Sequence, residues 1–221
     1  MIRFTFLLVF LASFGAHAQS GEQLAGDDNG QVVDFFDNKM PKRIAHYENG
    51  KLEGYELVFN ENGYLMKKAF YQGGKLDGEV LRFRQGGAVK MREHYLKGQL
   101  HGLRAKYYNG GARQEEGTYT NGKKDGTFRW YGVDGTLSSA YEYVDGKQHG
   151  SLISYYPSGE VKVEEIAENG VKVGAYKSYH RNGKPKTVGQ YQNGEKHGKW
   201  LTYDSAGKLV KTEKYKNGEL K

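Results

Sequence analysis

Three histidines recur at intervals of 48 residues: His101, His149 and His197. Imidazole is the commonest metal ligand in proteins and the usual acid or base near neutral pH, so such a row suggests a zinc site or a hydrolytic centre. Zinc, however, requires all its ligands within about 2 Å of the metal. The histidines can act together only if the fold brings them to one place.

Other catalytic signatures are missing from the sequence. There is no G-x-S-x-G elbow, no H-E-x-x-H pair, no G-x-x-x-x-G-K-[ST] loop and no dinucleotide-binding glycine pattern. Cysteine is absent, which excludes disulfides, thiol catalysis and cysteine-zinc sites. Carboxylates are abundant, but acid–base catalysis needs two that converge on one pocket with separated pKa values. We therefore expect a protein that is not an enzyme and binds no cofactor or metal.

Charge is distributed unevenly along the chain. The net charge is +7, and residues 167–221 contain twelve basic and five acidic residues, whereas residues 19–166 are almost neutral. Such a basic region can bind an anionic surface, such as phospholipid headgroups, lipopolysaccharide phosphates or an acidic protein. Lysines can equally protect an exposed sheet edge from pairing with other chains. The candidate contacts with an anionic partner are Lys199, Lys208, Lys211, Lys214 and Lys216.

The histidine spacing is twice the length of an internal repeat. Residues 47–70 recur without insertion, and the copies begin at Tyr71, Tyr95, Tyr119, Tyr143, Ala167 and Tyr191, with a truncated copy from Tyr215. A fixed period of 20 to 50 residues indicates an array in which each unit packs against its neighbours. We expect a single array over residues 35–221, with seven full repeats in 47–214, a half repeat before them and the truncated repeat after them. Positions in the repeat are numbered from Tyr47 as position 1.

Glycine occupies positions 4, 8 and 17 of the repeat. Asn-Gly at positions 3 and 4, as in Asn49-Gly50, is the strongest short signal for a β-hairpin, because a type I′ turn needs positive φ at both central residues. Gly63 at position 17 closes a second turn. The glycine at position 8 predicts a bulge, or a gap covered by a neighbouring tyrosine ring. The predicted structural glycines are Gly50, Gly54, Gly63, Gly74, Gly78, Gly87, Gly98, Gly102, Gly111, Gly122, Gly126 and Gly135.

These turns predict an all-β fold, an elongated open antiparallel sheet of tandem 24-residue hairpins with about fifteen strands. Positions 9, 11 and 13 of the first strand are expected to share one face, and stacked aromatic rings replace an aliphatic core. The histidines would then lie roughly 19 Å apart and could not share one ion. A hydrogen bond that supports a turn is the favoured role for them. The predicted structural aromatics are Tyr47, Phe59, Tyr71, Phe83, Tyr95, Tyr107, Tyr119, Tyr131, Tyr143 and Tyr155.

The N-terminal residues predict export. Residues 1–18 contain Arg3, a short apolar run and the sequence Ala16-His17-Ala18, which is typical of a secretory signal peptide cleaved before Gln19. Residues 19–34 lack apolar periodicity and are expected to form a flexible leader. We expect a periplasmic or secreted protein, with no transmembrane segment after cleavage and no nucleic acid partner.

The pattern Y-x-N-G-K-x-x-G, followed by an aromatic residue and N-G as in residues 47–63, resembles the MORN repeat and especially its bacterial variant. The resemblance covers residues 35–221 and implies a train of antiparallel hairpins. Bacterial members are often labelled YwqK-type antitoxins of toxin-antitoxin systems, while eukaryotic relatives scaffold assemblies and approach phospholipids. Fold alone does not determine function.

Two functional classes remain open. The first is a non-catalytic binding or scaffold protein that holds a protein or envelope partner, with an antitoxin-like or immunity-like protein as one version. The second is a binder of a surface polymer, either a glycan or an anionic lipid, comparable to hairpin repeats with aromatic cages. Such arrays depend on tryptophan, and only Trp130 and Trp200 occur here, which favours the first class.

Overall fold

The computed structural model describes residues 29–221. The predicted signal peptide and residues 19–28 of the predicted leader lie outside the described residues. Within 29–221 all regular structure is β-strand, in two compact units that meet in sequence after Gly111. No helix in this range is long and apolar enough to cross a membrane.

The first unit contains nine strand segments joined by antiparallel pairing, and in two places a pair of short successive segments lies against one longer strand. They are β1 (Gly30–Phe35), β2 (Pro41–Glu48), β3 (Lys51–Leu52), β4 (Gly54–Phe59), β5 (Leu65–Gln72), β6 (Lys75–Phe83), β7 (Val89–Leu96), β8 (Gln99–Leu100) and β9 (Gly102–Tyr107).

The second unit continues the same pattern of antiparallel hairpins. Its strands are β10 (Arg113–Thr120), β11 (Lys123–Lys124), β12 (Gly126–Tyr131), β13 (Leu137–Val144), β14 (Lys147–Tyr155), β15 (Val161–Glu168), β16 (Val171–Tyr179), β17 (Pro185–Gln192), β18 (Glu195–Tyr203), β19 (Leu209–Lys216) and β20 (Glu219–Leu220). The predicted all-β class, an open antiparallel sheet of hairpins, is confirmed in both units.

Two kinds of turn join the strands. At positions 3 and 4 both central residues have positive φ, as in Asn49 at 49° and Gly50 at 69°, which is the type I′ geometry expected from Asn-Gly. In the second turn Gly63 donates its N–H to the Asn60 carbonyl and has a φ of 75°, so a three-residue turn ends in a left-handed glycine. Asn60 Oδ1 accepts N–H bonds from Asn62 and Tyr64, which fixes this turn further.

The glycine at position 8 lies in a bulge. Between β5 and β6, Ala69 pairs with Val80 and Tyr71 pairs with Leu76, so three residues oppose one. Gly78, in the middle of the three, has a φ of 105°, which only glycine adopts readily. In some repeats the bulge interrupts the first strand altogether, as between β3 and β4, so the structure has twenty strand segments and not about fifteen.

The start of the array differs from the prediction. Residues 19–34 were expected to be a flexible leader, but strand β1 begins at Gly30 and pairs with β2. Gly30–Phe35 precedes Gly54–Phe59 by 24 residues, so β1 is a complete first strand of a repeat. Its polar composition hid the strand, because only Val32, Val33 and Phe35 provide apolar side chains.

The two faces of each sheet differ in burial. The packed face carries positions 1, 10, 12, 21 and 23 of the repeat, and Ala69 and Val80, which pair across it, are both 0% exposed. The open face carries positions 9, 11, 22 and 24, where Tyr55 is 56% exposed. The sequence had suggested positions 9, 11 and 13 as one continuous face. The register shift after Val58 instead separates Phe59 from the alternation, and the most buried row lies at positions 10 and 23.

Candidate binding surfaces

In the first unit the packed face is ionic at its centre. Glu56 is 6% exposed and its Oε2 lies 2.8 Å from Lys67 Nζ, while Tyr71 Oη donates to the same oxygen at 3.2 Å. Burial disfavours the charged form of Lys67, but the hydrogen bonds to Glu56 and Tyr71 outweigh it and raise the pKa of Lys67. Arg43 Nη1 approaches the other Glu56 oxygen at 3.8 Å, so the buried carboxylate is neutralised locally.

A second buried carboxylate in this unit has the same arrangement. Glu93 is also 6% exposed, and its two oxygens lie 3.2 Å from Arg104 Nε and 3.3 Å from Arg82 Nε. These carboxylates are each enclosed by cations and occupy separate clusters. Removing one cation from either cluster would leave a buried carboxylate with fewer partners.

In the second unit the most buried large side chains of the packed face are aromatic rings. Phe128 is 0% exposed and contacts Tyr119 and Tyr143 edge to face, with ring centroids 5.3 and 5.2 Å apart. Lys124 Nζ lies 4.4 Å from the centroid of Phe128. The predicted stacking of rings therefore describes this packed face but not the centre of the first unit.

The same arrangement recurs around Trp200, which is 3% exposed. Its ring contacts Tyr176 and Tyr191 at 5.0 and 5.2 Å, and Lys196 Nζ lies 4.4 Å from its centroid. The cage-like groups of rings are thus already occupied by lysines of the chain itself, which bind there by cation–π attraction. An external cation would have to displace Lys196 to enter.

Sequence reasoning missed several residues of these clusters. Gly117 and Gly189 lie outside the three glycine columns, at position 23, where a Cβ would come within 2.5 Å of Phe128 and 2.3 Å of Trp200. Lys124 and Lys196 share position 6, which is leucine in the first three repeats. Comparing position 10 of each repeat with position 23 of the repeat before it would have shown large rings beside glycines.

The structure divides the five predicted contact lysines between different surfaces. Lys199, Lys214 and Lys216 lie on the open face. Lys211 lies on the packed face, 2.8 Å from Glu213, and the two are joined by a hydrogen bond that raises the pKa of Lys211 and lowers that of Glu213. Lys208 follows a turn, and its backbone N–H donates to Asp204.

The open face near the C-terminus carries cations without salt bridges. Lys199 lies directly opposite Lys214 in the ladder, and both side chains are exposed. Lys186 and Lys216 are exposed on the same face, and Lys216 pairs in register with Glu219. No salt bridge is formed by any of these four lysines within residues 29–221. Together Lys186, Lys199, Lys214 and Lys216 are called the open-face lysine patch.

Within the described residues, the predicted turn-supporting hydrogen bond is not made by Nδ1 in two of the three histidines of the column. Nδ1 of His101 and of His197 is buried and has no hydrogen-bond partner within residues 29–221, so the predicted turn-supporting bond is not made by these atoms. Other residues at position 7 do make it: Glu53 Oε2 accepts the N–H of Gly73 at 2.7 Å, and Asn29 Oδ1 accepts that of Asn49 at 2.6 Å. In the described range no group of three or more His, Asp or Glu side chains can hold a metal ion.

The remaining predicted structural residues occupy the turns, bulges and faces described above. All twelve predicted glycines have positive φ. The tyrosines at position 1 border the buried row, and tyrosines at position 13 reach the open face, where Tyr179 Oη donates to Glu164 at 2.8 Å. Burial and this hydrogen bond raise the pKa of Tyr179 to about 12.

Comparison with known proteins agrees with the repeat geometry. Residues 148–169, 172–193 and 196–217 match the family described as MORN repeat variant. The matched segments begin 24 residues apart, in phase with the hairpins, whereas the resemblance had been expected over residues 35–221. No curated protein matches the chain. The family consists of repeats that are usually non-catalytic. Residues 148–217 are therefore repeats of the MORN variant family, built into a β-sheet protein.

Proposed function

We propose that this protein is a non-catalytic binding or scaffold protein that holds an anionic protein partner in the cell envelope or outside the cell. The observation that carries the proposal is the contrast between the lysines of the two faces. On the packed face Lys172 pairs with Glu165 and Lys211 with Glu213, while Lys196 lies over Trp200. The open-face lysine patch has no such partners within the described residues.

Repulsion between Lys199 and Lys214 also favours an anionic partner. Like charges directly opposite each other on adjacent strands destabilise a sheet, by an amount comparable to the 0.2–1 kcal/mol that favourable cross-strand pairs contribute. A bound carboxylate would remove this repulsion and gain two ion pairs. Val188 and Leu201, which pair with each other on the same face, provide half-buried apolar surface for a protein contact beside the charges.

We also propose a location and one specific role for the protein. The sequence of residues 1–18 supports export to the periplasm or the outside, where nucleic acid is not an expected partner. An antitoxin-like or immunity-like protein, which neutralises a toxin by covering it, is one form that such a binding protein takes. Detection of the chain, tagged at its C-terminus, in periplasmic or culture fractions and not in the cytoplasm would support export.

The decisive experiment compares two double variants with the same change in charge. Lys199→Glu with Lys214→Glu alters the open-face patch, and Lys208→Glu with Lys211→Glu alters the turn and the packed face of the same region. The immobilised chain is exposed to envelope extract and retained proteins are identified. We expect the first variant to lose the specific partner and the second to keep it. Equal retention by both variants would refute the role of the patch.

The same variants test the alternative, a surface-polymer binder. The chain is mixed with vesicles of neutral phospholipid, with vesicles containing an anionic phospholipid, and with a glycan array. Binding to anionic vesicles that falls with added salt and is lost in Lys199→Glu with Lys214→Glu would assign the patch to a lipid surface. Saturable sugar binding that does not depend on salt would replace the proposed function with glycan recognition.

A further inference from the structure

Side chains at position 14, the first residue of the second turn, connect successive repeats. Arg84 Nη2 donates to the Tyr107 carbonyl at 2.7 Å, and Tyr156 Oη donates to the Tyr179 carbonyl at 2.8 Å. The His180 ring lies 2.9 Å from the Tyr203 carbonyl in the same way. Each contact joins residues 23 positions apart. In these three repeats a planar polar side chain thus fills the space between two neighbouring turns.

Gly132 breaks this pattern. It occupies position 14 but has no side chain, so it cannot reach the Tyr155 carbonyl, which is the equivalent acceptor. At this place the structure has a groove of about 420 Å³, and Val133, Tyr155, Tyr156 and Pro157 are among the residues that line it. Val133 is 72% exposed beside the groove. The groove therefore lies where Arg84, Tyr156 and His180 bridge two turns in their own repeats.

A carboxylate marks one end of the groove. Asp134 accepts hydrogen bonds from the backbone N–H of Thr136 at 3.0 Å and from its hydroxyl at 2.6 Å. These bonds lower the pKa of Asp134, so it is an anion at neutral pH. A Cβ on Gly132 would lie 2.6 Å from Asp134 Oδ1, which shows that the carboxylate occupies the position of the missing side chain. Asp134 is the only charged residue that lines the groove.

We propose that this groove binds an arginine side chain presented by the partner protein. The guanidinium takes the place between the turns that Arg84 takes in its own repeat, donates to the Tyr155 carbonyl and pairs with Asp134. Arginine fits better than lysine, because its planar group donates in several directions and stacks on aromatic rings. Arg181 already lies against Tyr156, with Cζ 5.6 Å from the ring centroid, so this ring is compatible with a guanidinium. The inference rests on the proposed function only in assuming that the partner is a protein.

The test uses small probes on the intact chain. Backbone amide shifts are followed while N-acetyl-arginine amide is added, and then N-acetyl-citrulline amide, which has the same shape without the charge. We expect saturable shifts within residues 132–138 and 155–158 for the arginine probe and about tenfold weaker binding of the citrulline probe, since charged hydrogen bonds are roughly twice as strong as neutral ones. Equal binding of the two probes, or tighter binding of N-acetyl-tyrosine amide, would overturn the assignment to arginine.

Two variants identify the site. Gly132→Arg supplies the guanidinium from within the chain and should abolish the shifts, and Asp134→Asn should weaken arginine binding about tenfold. Asp204→Asn, which alters a turn carboxylate in another repeat, is the matched control and should bind as the parent does. If Gly132→Arg does not fold, as judged by its circular dichroism, the result for Asp134→Asn alone decides whether the groove is the binding site. Unchanged binding in Asp134→Asn would refute the site. Absence of probe binding refutes the groove but not the proposed function, which the open-face variants test separately.

Discussion

The indole ring of Trp200 lies over Gly189, so close that a Cβ on the glycine would be 2.3 Å from the ring. Gly189 does not have a positive φ, and its backbone conformation is open to other residues. The glycine is therefore required by the ring above it and not by the backbone. A flat ring packed on bare backbone is how this thin sheet buries a large apolar surface without a second layer.

Gly189→Ala should destabilise the second unit by about 1–3 kcal/mol, because the added methyl group forces the buried ring out of place. Chemical unfolding followed by circular dichroism measures the change. Gly110→Ala is the control, since Gly110 has open space around its Cβ and no positive φ. The double variant Gly189→Ala with Trp200→Leu should recover part of the loss relative to the sum of the single variants. An unchanged free energy of unfolding in Gly189→Ala would show that the ring can move freely.

The parts of the structure that follow from local chemistry were predictable from the sequence. Asn49-Gly50 and its equivalents require hairpin turns, because few other dipeptides adopt positive φ twice. Contacts between repeats were harder to predict from the sequence. The cation clusters around Glu56 and the ring over Gly189 depend on which residues of different strands become neighbours, and the bulge at position 8 changes that register. Gly132 could have been noticed as the one glycine at position 14 of the repeat.

Loss of Lys67 should reduce stability in a way that depends on pH. Its pKa is raised in the folded chain, so its contribution is fully present below about pH 10.5, the usual lysine value, and is lost as pH rises through the folded value. We expect Lys67→Met to lower the free energy of unfolding by about 3 kcal/mol near neutral pH, since it leaves Glu56 buried with fewer partners.

The measurement is urea unfolding of Lys67→Met and of the parent at pH 8 and at several values above pH 10. The difference between the two proteins should shrink at the alkaline end. Lys90→Met is the control, because Lys90 is exposed and has no salt bridge within residues 29–221. A difference that stayed constant with pH would mean that Lys67 acts through packing of its alkyl chain alone.

Tyr179 should titrate later than an ordinary tyrosine. Its pKa is raised to about 12 by burial and by the hydrogen bond to Glu164, so the folded phenol keeps its proton when the unfolded one has lost it. The associated stability is present below about pH 10 and is lost between pH 10 and 12. Ultraviolet absorbance of the parent minus that of Tyr179→Phe gives the titration of this phenol.

Glu164→Gln should lower the pKa of Tyr179, because the neutral amide no longer opposes formation of the phenolate. The same difference spectrum is recorded in the Glu164→Gln background. Tyr203→Phe serves as the control for loss of one phenol at the same repeat position, where the equivalent neighbour is Val188. An unchanged titration in Glu164→Gln would assign the raised pKa to burial alone.

Replacing His101 by Asn should stabilise the first unit. The buried Nδ1 of His101 has no hydrogen-bond partner within the described residues, whereas Asn29 at the same repeat position accepts the N–H of Asn49. Asn at 101 would remove a buried unpaired nitrogen, which is worth about 1 kcal/mol. The midpoint of urea unfolding should therefore rise. His94→Asn, an exposed histidine outside the column, should leave it unchanged. A lower midpoint for His101→Asn would indicate that the imidazole contributes more by filling space at the bulge than its unpaired nitrogen costs.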